Sequence, residues 1–130
     1  MPQSPIDAAK AVIQHHIRTL NAGDPVAQAE SFHFPLVRLA SGKLRIWATA
    51  EEWIAEAPER QAHFQSEGWH HSVMEPVTAV QSSEDKVHLA IVNDRCREDS
   101  TVYKTFDTLW IATKLEGRWA VQFRSSFHER

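Results

Sequence analysis

The sequence predicts an α+β fold in which a few helices cover one face of a mainly antiparallel sheet. Three observations predict it: helical periodicity confined to the first half of the chain, β-rich segments without helical period from Trp69 onward, and turn signals that cut that run into long strands. At 130 residues the chain has the length of one domain, and residues 1–130 read as a single domain without linker, repeat or low-complexity tract.

Ser4-Pro5-Ile6-Asp7 reads as a helix start, with Ser4 the N-cap, Pro5 at the first helical position and Asp7 placed to answer the cap's own N–H. Ile6, Ala9, Ile13, Ile17 and Leu20 recur at helical spacing up to Gly23, a left-handed stop. Asp24-Pro25 opens a second short helix running to about Phe32. Phe34 to Ala40 and Lys43 to Thr49 flank Ser41-Gly42 and form a hairpin, in which Pro35 fits only an edge or a strand start. Thr49-Ala50-Glu51-Glu52 is a second capping box. Trp53, Ile54, Ala57, Gln61 and Phe64 carry the helical period towards Gly68, and Pro58 kinks or splits that helix. Beyond it, Ser82 to Asp85, Asp99-Ser100 and Glu116-Gly117 separate four strands.

If each of these turns is tight, alternation assigns the side chains to faces. The face meeting the helices collects Met74, Val80, Val87, Leu89, Ile91 and Phe106, with Trp110, Trp119, Val121, Phe123 and Phe127 on the later strands. Asn93, Thr108 and Ser125 interrupt it at the middle, and Ser72, Arg95 and His70 toward one end. An apolar concavity with a few convergent polar groups is the usual makeup of a small-molecule site, although Thr108 and Ser125 could equally bond neighbouring strands. The opposite face carries Val77, Ala79, Ala90, Val92, Leu109 and Ile111 among Glu75, His88, Asp94, Asp107, Gln122 and Arg124. It is too apolar for a plain solvated surface and reads as a homodimer face. A one-residue bulge would turn Asn93 and Ser125 outward and bring Asp94, Asp107 and Arg124 into the cavity, restoring an acid to it.

Fourteen Lys and Arg against seventeen Asp and Glu, without a basic run, give no footprint for nucleic acid or for a polybasic membrane contact. No apolar stretch approaches membrane-spanning length, and the first ten residues lack the pattern of a secretory signal. The single cysteine, Cys96, excludes an internal disulfide, so the expected compartment is the cytoplasm. With no HExxH, HxH or cysteine cluster, neither a metal centre nor a cofactor is expected. A nucleophile elbow is also missing, and Cys96 reads as structural.

The stretch His15 to Asp24, ending in Ala22-Gly23-Asp24, resembles the first helix and "xxGD" corner of the nuclear-transport-factor-2-like superfamily, which includes ketosteroid isomerases, scytalone dehydratase and SnoaL-like cyclases. Glu116-Gly117-Arg118-Trp119-Ala120-Val121 resembles that superfamily's last hairpin, and the likeness spans nearly the whole chain. His71-Ser72, Lys86 to Leu89, Arg95 and Arg124-Ser125-Ser126-Phe127 are similar to a bacterial branch ending in RSSF. The resemblance implies a cone-shaped fold: a curved, mainly antiparallel sheet with helices on its concave face and a cavity between the first helix and the sheet. It places His16 where ketosteroid isomerases carry an oxyanion-holding tyrosine. Those isomerases also need a carboxylate base on the early hairpin, yet Ser31 to Ala50 contains no Asp or Glu, and the later acid position falls near Thr108 to Leu109.

The expected function is therefore a small-molecule-binding domain, a homodimer through the outer sheet face, whose cavity takes an apolar or aromatic ligand. Its ligand-binding set is His16, Trp47, Trp53, Met74 and Asn93, with Arg95, Phe106, Thr108, Ser125 and Phe127. Trp47 and Trp53 could wall a flat ligand or pack in the core, and Arg38 and Arg95 could meet an anionic group at the rim. The alternatives are an isomerase, dehydratase or cyclase using an inward histidine, His16 being the candidate catalytic residue, and a dimerisation or assembly module.

Overall fold

In the computed structural model, which describes residues 3–128, the element order is ααββααββββ. The outermost residues of the expected 1–130 domain thus lie outside the described ones. Helix α1 (Pro5–Ala22) begins where Ser4 caps it, the Asp7 N–H donating to Ser4 Oγ at 3.1 Å. Its buried stripe is Ala8, Ala9, Ile13 and His16, so His16 continues the face that meets the sheet. The helix ends at Gly23 in the left-handed region (φ 69°), with the Asp24 N–H reaching back to the Thr19 carbonyl at 3.1 Å. Asp24 then caps α2 (Pro25–Ala29) through the Ala27 N–H.

Helix α2 stops three residues short of Phe32. The Val121 N–H donates to the Ser31 carbonyl, and Phe32 pairs with Val121 as the first residue of β1 (Phe32–Ala40). Strand pairing and burial of the Phe32 ring outweigh one more helical turn. A tight turn at Ser41-Gly42, both with positive φ, joins β1 to β2 (Lys43–Trp47). Pro35 departs from its expected edge position, because β1 is paired on both sides. It is accommodated at a register shift between Phe32 and Val37, where no ladder bond asks for its missing N–H.

Thr49 caps α3 (Ala50–Ala55), and Glu52 answers by accepting from the Ala48 N–H, one residue further back than the usual box. Pro58 splits the third helical region as expected, and α4 (Ala57–Ser66) carries it in its first turn. The remaining strands are β3 (His71–Ser82), β4 (Lys86–Cys96), β5 (Val102–Leu115) and β6 (Arg118–Phe127). The curved sheet has the order β2-β1-β6-β5-β4-β3, antiparallel throughout except that β1 runs parallel to β6. Helix α1 lies across β3 to β6 on the concave face, and Ile13, Phe32, Leu36, Trp53, Leu89 and Trp110 belong to the core between them. Among the described residues no helix is long and apolar enough to cross a membrane.

Register departs from the tight-turn expectation in two strands. Strand β3 is shifted between Met74 and Val77 and again between Ala79 and Gln81. Val77 and Ala79 therefore pair with the inward Ile91 and Leu89, while Val80 is left exposed. Strand β6 follows the expected register from Leu115↔Arg118 to Ala112↔Val121, then admits an extra residue at Gln122, so that Ile111 pairs with Phe123 and Trp110 with Arg124. Phe123, Ser125 and Phe127 consequently face outward, and Arg124 and Ser126 face in. Strands β4 and β5 keep the expected pairing from Arg95↔Lys104 onward, so Asn93 faces in while Asp94 and Asp107 face out.

The C-terminus of α1 is pinned to β3 by Asn21, whose Nδ2 donates to the Ser72 carbonyl at 3.0 Å and whose Oδ1 accepts from the Ser72 N–H at 2.9 Å. Ser72 is buried, so Asn21→Ala strands both backbone groups and is expected to cost about 1–3 kcal/mol in urea denaturation. A loss below about 0.5 kcal/mol would show that solvent replaces the clasp.

Candidate functional site

A cavity of about 150 Å³ opens between the concave sheet face and the helices. Its floor is formed by Arg38, Asn93, Arg95, Trp110, Arg124 and Ser126, all inward positions of β1, β4, β5 and β6. His16 and Leu20 of α1 form one wall, and Trp53, Arg60 and Phe64 of α3 and α4 form the roof. The roof is tied down by local sequence. Glu56, between the two helices, accepts from both Arg45 (2.7 Å) and the Trp47 indole N–H. Both donors hold the Glu56 carboxyl below its usual range. At the far end of α4, Glu67 accepts from Tyr103 Oη (2.9 Å) and Arg95 (3.2 Å). Burial works against the Glu67 charge, but the Tyr103 hydrogen bond and the nearby Arg95, His63 and Lys104 together outweigh it and keep the carboxyl below its ordinary value.

His16 is almost fully buried, edge-on to Trp110 at 4.7 Å between ring centroids and 5.4 Å from Phe32. Burial, then the Arg124 charge and His15, push its pKa down to about 3, so the imidazole is neutral at pH 7. His15, one residue away, turns aside to bond the Ala27 carbonyl at 2.8 Å. Arg124 lies over the faces of Phe32 (4.9 Å) and Trp110 (5.5 Å). Burial, then Arg38 and Arg60, bring its pKa down to about 9, which leaves it protonated at neutral pH. Arg60 stacks on Trp53 at 3.7 Å and donates to that residue's carbonyl at 2.7 Å. Arg38 meets His128 at 3.0 Å, and His128 is pushed down to about 4 by burial and by Arg38, Arg95 and Lys104.

Two features follow. Among the described residues the cavity lining includes four arginines and no Asp or Glu, carboxylates entering only at the wider mouth, where Glu56, Glu59 and Glu67 stand. His16 Nδ1, Trp53 Nε1, Asn93 Oδ1 and Arg124 Nε, all on cavity-lining residues, are buried without a hydrogen-bond partner in the protein. Buried polar atoms are nearly always satisfied, so four such atoms around one chamber mark a place for a polar ligand or water. Among the described residues no cluster of three His, Cys, Asp or Glu could hold a metal ion.

Of the sequence-predicted set, His16, Trp53, Asn93 and Arg95 meet at this cavity. Trp47 lines only the mouth. Met74 is core packing. Phe106 is buried beside the site, under the Arg95 guanidinium at 5.1 Å. Thr108 is satisfied by the Ser125 carbonyl (3.0 Å), Ser126 Oγ and the Trp110 indole N–H, the neighbouring-strand role weighed for it. Ser125 and Phe127 leave the site because the extra residue in β6 turns them to the outer face, and His70 is likewise exposed. The same shift brings in Arg124 and Ser126. Arg60 and Phe64, also missed, were readable as the continuation of the Trp53-Ala57 helical stripe.

A family model described as "NTF2-like protein (DUF6841)" matches residues 7–124. Among solved structures the chain is similar to an NTF-2 like protein of unknown function from Shewanella oneidensis, with TM-score 0.69, 15% identity, and 95% of this chain and 98% of that one covered. A ketosteroid isomerase-like protein from Erwinia carotovora atroseptica gives TM-score 0.65 at 14% identity, covering 95% of each chain. A Catenulispora acidiphila protein in complex with S-DNPA gives TM-score 0.72 at 14% identity, covering 95% of this chain and 92% of that one. At such identities the likeness establishes the fold alone. A search of curated proteins returns no match.

Proposed function

The chain belongs to the NTF2-like family DUF6841, and from that premise we propose that it is a small-molecule-binding domain whose ligand occupies the cavity between α1, the α3–α4 roof and the sheet. The observation carrying this reading is the set of four unpartnered buried polar atoms around one aromatic-walled chamber. An assembly module needs no such chamber.

An isomerase, dehydratase or cyclase is the competing reading, and among the described residues His16 is its only buried cavity base. A general base works best with a pKa near the operating pH, and at about 3 His16 is far too weak a base. Asp94 and Asp107 lie on the outer face, so they do not replace it. Binding is therefore the better-supported function. His16→Ala separates the two: binding should change in affinity only, whereas an enzyme should lose turnover by orders of magnitude.

The outer sheet face supports a homodimer. Leu39, Leu44, Ile46, Val73 and Phe127 are all exposed there, in a sheet surface that also bears the half-buried Leu109 and Ile111. A reducing compartment such as the cytoplasm suits the single, buried, free Cys96. Native mass spectrometry of gently purified protein tests both parts. A dimer carrying extra small mass is the expected result. A monomer would overturn the dimer, and empty protein that also shows no thermal shift with a fragment panel would overturn the binding role.

A further inference from the structure

Each of the cavity's arginines except one has a hydrogen-bonding partner. Arg95 is paired with Glu67, Arg38 with His128, and Arg60 with the Trp53 carbonyl. Arg124 has only the π faces of Phe32 and Trp110, and its Nε is buried without an acceptor. A guanidinium keeps its proton almost regardless of surroundings, so Arg124 is a half-buried positive charge whose enclosed Nε has no acceptor and which has no counterion among the described residues. Such a charge costs the fold stability, and aromatic faces return only about 0.5–2 kcal/mol of it. Sequences keep a charge of this kind where something else supplies the opposite one. Among the described residues the lining offers no carboxylate to do so.

We propose that the ligand is a small aromatic carboxylate whose anionic group seats on Arg124 and whose ring lies among Trp110, Trp53 and Phe64. This assignment rests on the cavity being a binding site and narrows what it binds. A carboxylate matches the guanidinium edge with two parallel N–H···O bonds, so a single free Arg suits a monoanion. Trp53 Nε1–H, which also lacks an acceptor, supplies a further donor to the same chamber. Size limits the rest of the molecule: about 150 Å³ is the volume that accommodates one benzene-sized ring. The aromatic walls give such a ring edge and face contacts. Neutral His16 adds a polar edge that neither competes for the anion nor repels it.

The test compares benzoate with its neutral isostere benzamide on the intact protein, reading the Trp53 and Trp110 indole N–H signals by NMR at low chloride. Benzoate is expected to bind about ten- to a hundredfold more tightly, the range for hydrogen bonds to a charged group. In Arg124→Met that ratio should collapse towards one, and Arg124→Lys, which keeps the charge but loses the fork, should retain only part of it. Should Arg124→Met not fold, the wild-type ratio and the lysine variant decide the matter alone. Equal affinity for both probes, or a ratio that survives in Arg124→Met, would overturn the anion assignment and leave the binding role standing. Indole signals unmoved by either probe at millimolar concentration would overturn both.

Discussion

Trp53→Ala is expected to destabilise the protein by about 3–5 kcal/mol, read as a lower midpoint at unchanged slope in urea. Trp53 is 1% exposed, meets Phe32 edge-to-face at 5.1 Å and is the surface on which the Arg60 guanidinium stacks. Its removal opens a void next to one that already exists, so the neighbours have little reason to collapse inward, which places the cost at the upper end of the range. Arg60 also loses its platform, and α4 its bond to the Trp53 carbonyl is weakened as the backbone relaxes. Trp53→Phe keeps most of the apolar volume and should recover more than half of the loss. A change below about 1 kcal/mol would show that α3 is not held by this side chain at all.

His16→Leu should change the pH dependence of stability more than the stability itself. The folded-state pKa is depressed to about 3 from 6.5, so above pH 6.5 the imidazole is neutral whether the chain is folded or not, and contributes no slope. Below 6.5 the unfolded chain binds a proton that the folded one refuses, and stability falls as the pH drops towards 3. The loss approaches about 1.4 kcal/mol per pH unit, on the order of 4 kcal/mol across the window. Leucine removes this term while filling the space beside Trp110 and Phe32. Urea midpoints measured from pH 7 to pH 4 should therefore converge or cross, the variant gaining on the wild type as acid is added. Parallel curves would mean that His16 takes up its proton inside the fold, and the neutral-histidine cavity would have to be abandoned.

What could be read in the sequence was local. Caps at Ser4, Asp24 and Thr49, the left-handed stop at Gly23 and the turns at Ser41-Gly42 and Glu116-Gly117 are written in one to four neighbouring residues, and each formed where expected. Asn93 faced the cavity as expected because β4 and β5 keep their register from Arg95↔Lys104 onward. Strand β6 defeated the same logic, since Gln122 carries no Gly or Pro to announce an extra residue. One of its partners is distant in sequence: Gln122 Nε2 donates to the Pro35 carbonyl at 3.4 Å, and the parallel strand β1 lies alongside. Parallel pairing between the first strand and the last cannot be seen in a local window, and it is in β6 that Arg124 was assigned to the wrong face. Strand β3 offers the contrast: its register shift between Met74 and Val77 contains Pro76, a residue that marks the irregularity in the sequence itself.

The extra residue at Gln122 also separates the shape of the chamber from its chemistry. A bulge bends and twists the strand that holds it, so Gln122 contributes curvature to β6. Arg124, however, would face inward in a shorter strand too: without Gln122 it would stand two places after the inward Val121, the position that alternation sends to the same side. Removing Gln122 would thus unbend the wall and leave the guanidinium in place. Relatives with Val-x-Arg in place of Val-x-x-Arg would then hold the same charge in a flatter vessel. Length variation at this one point would tune the size of the guest without touching its sign.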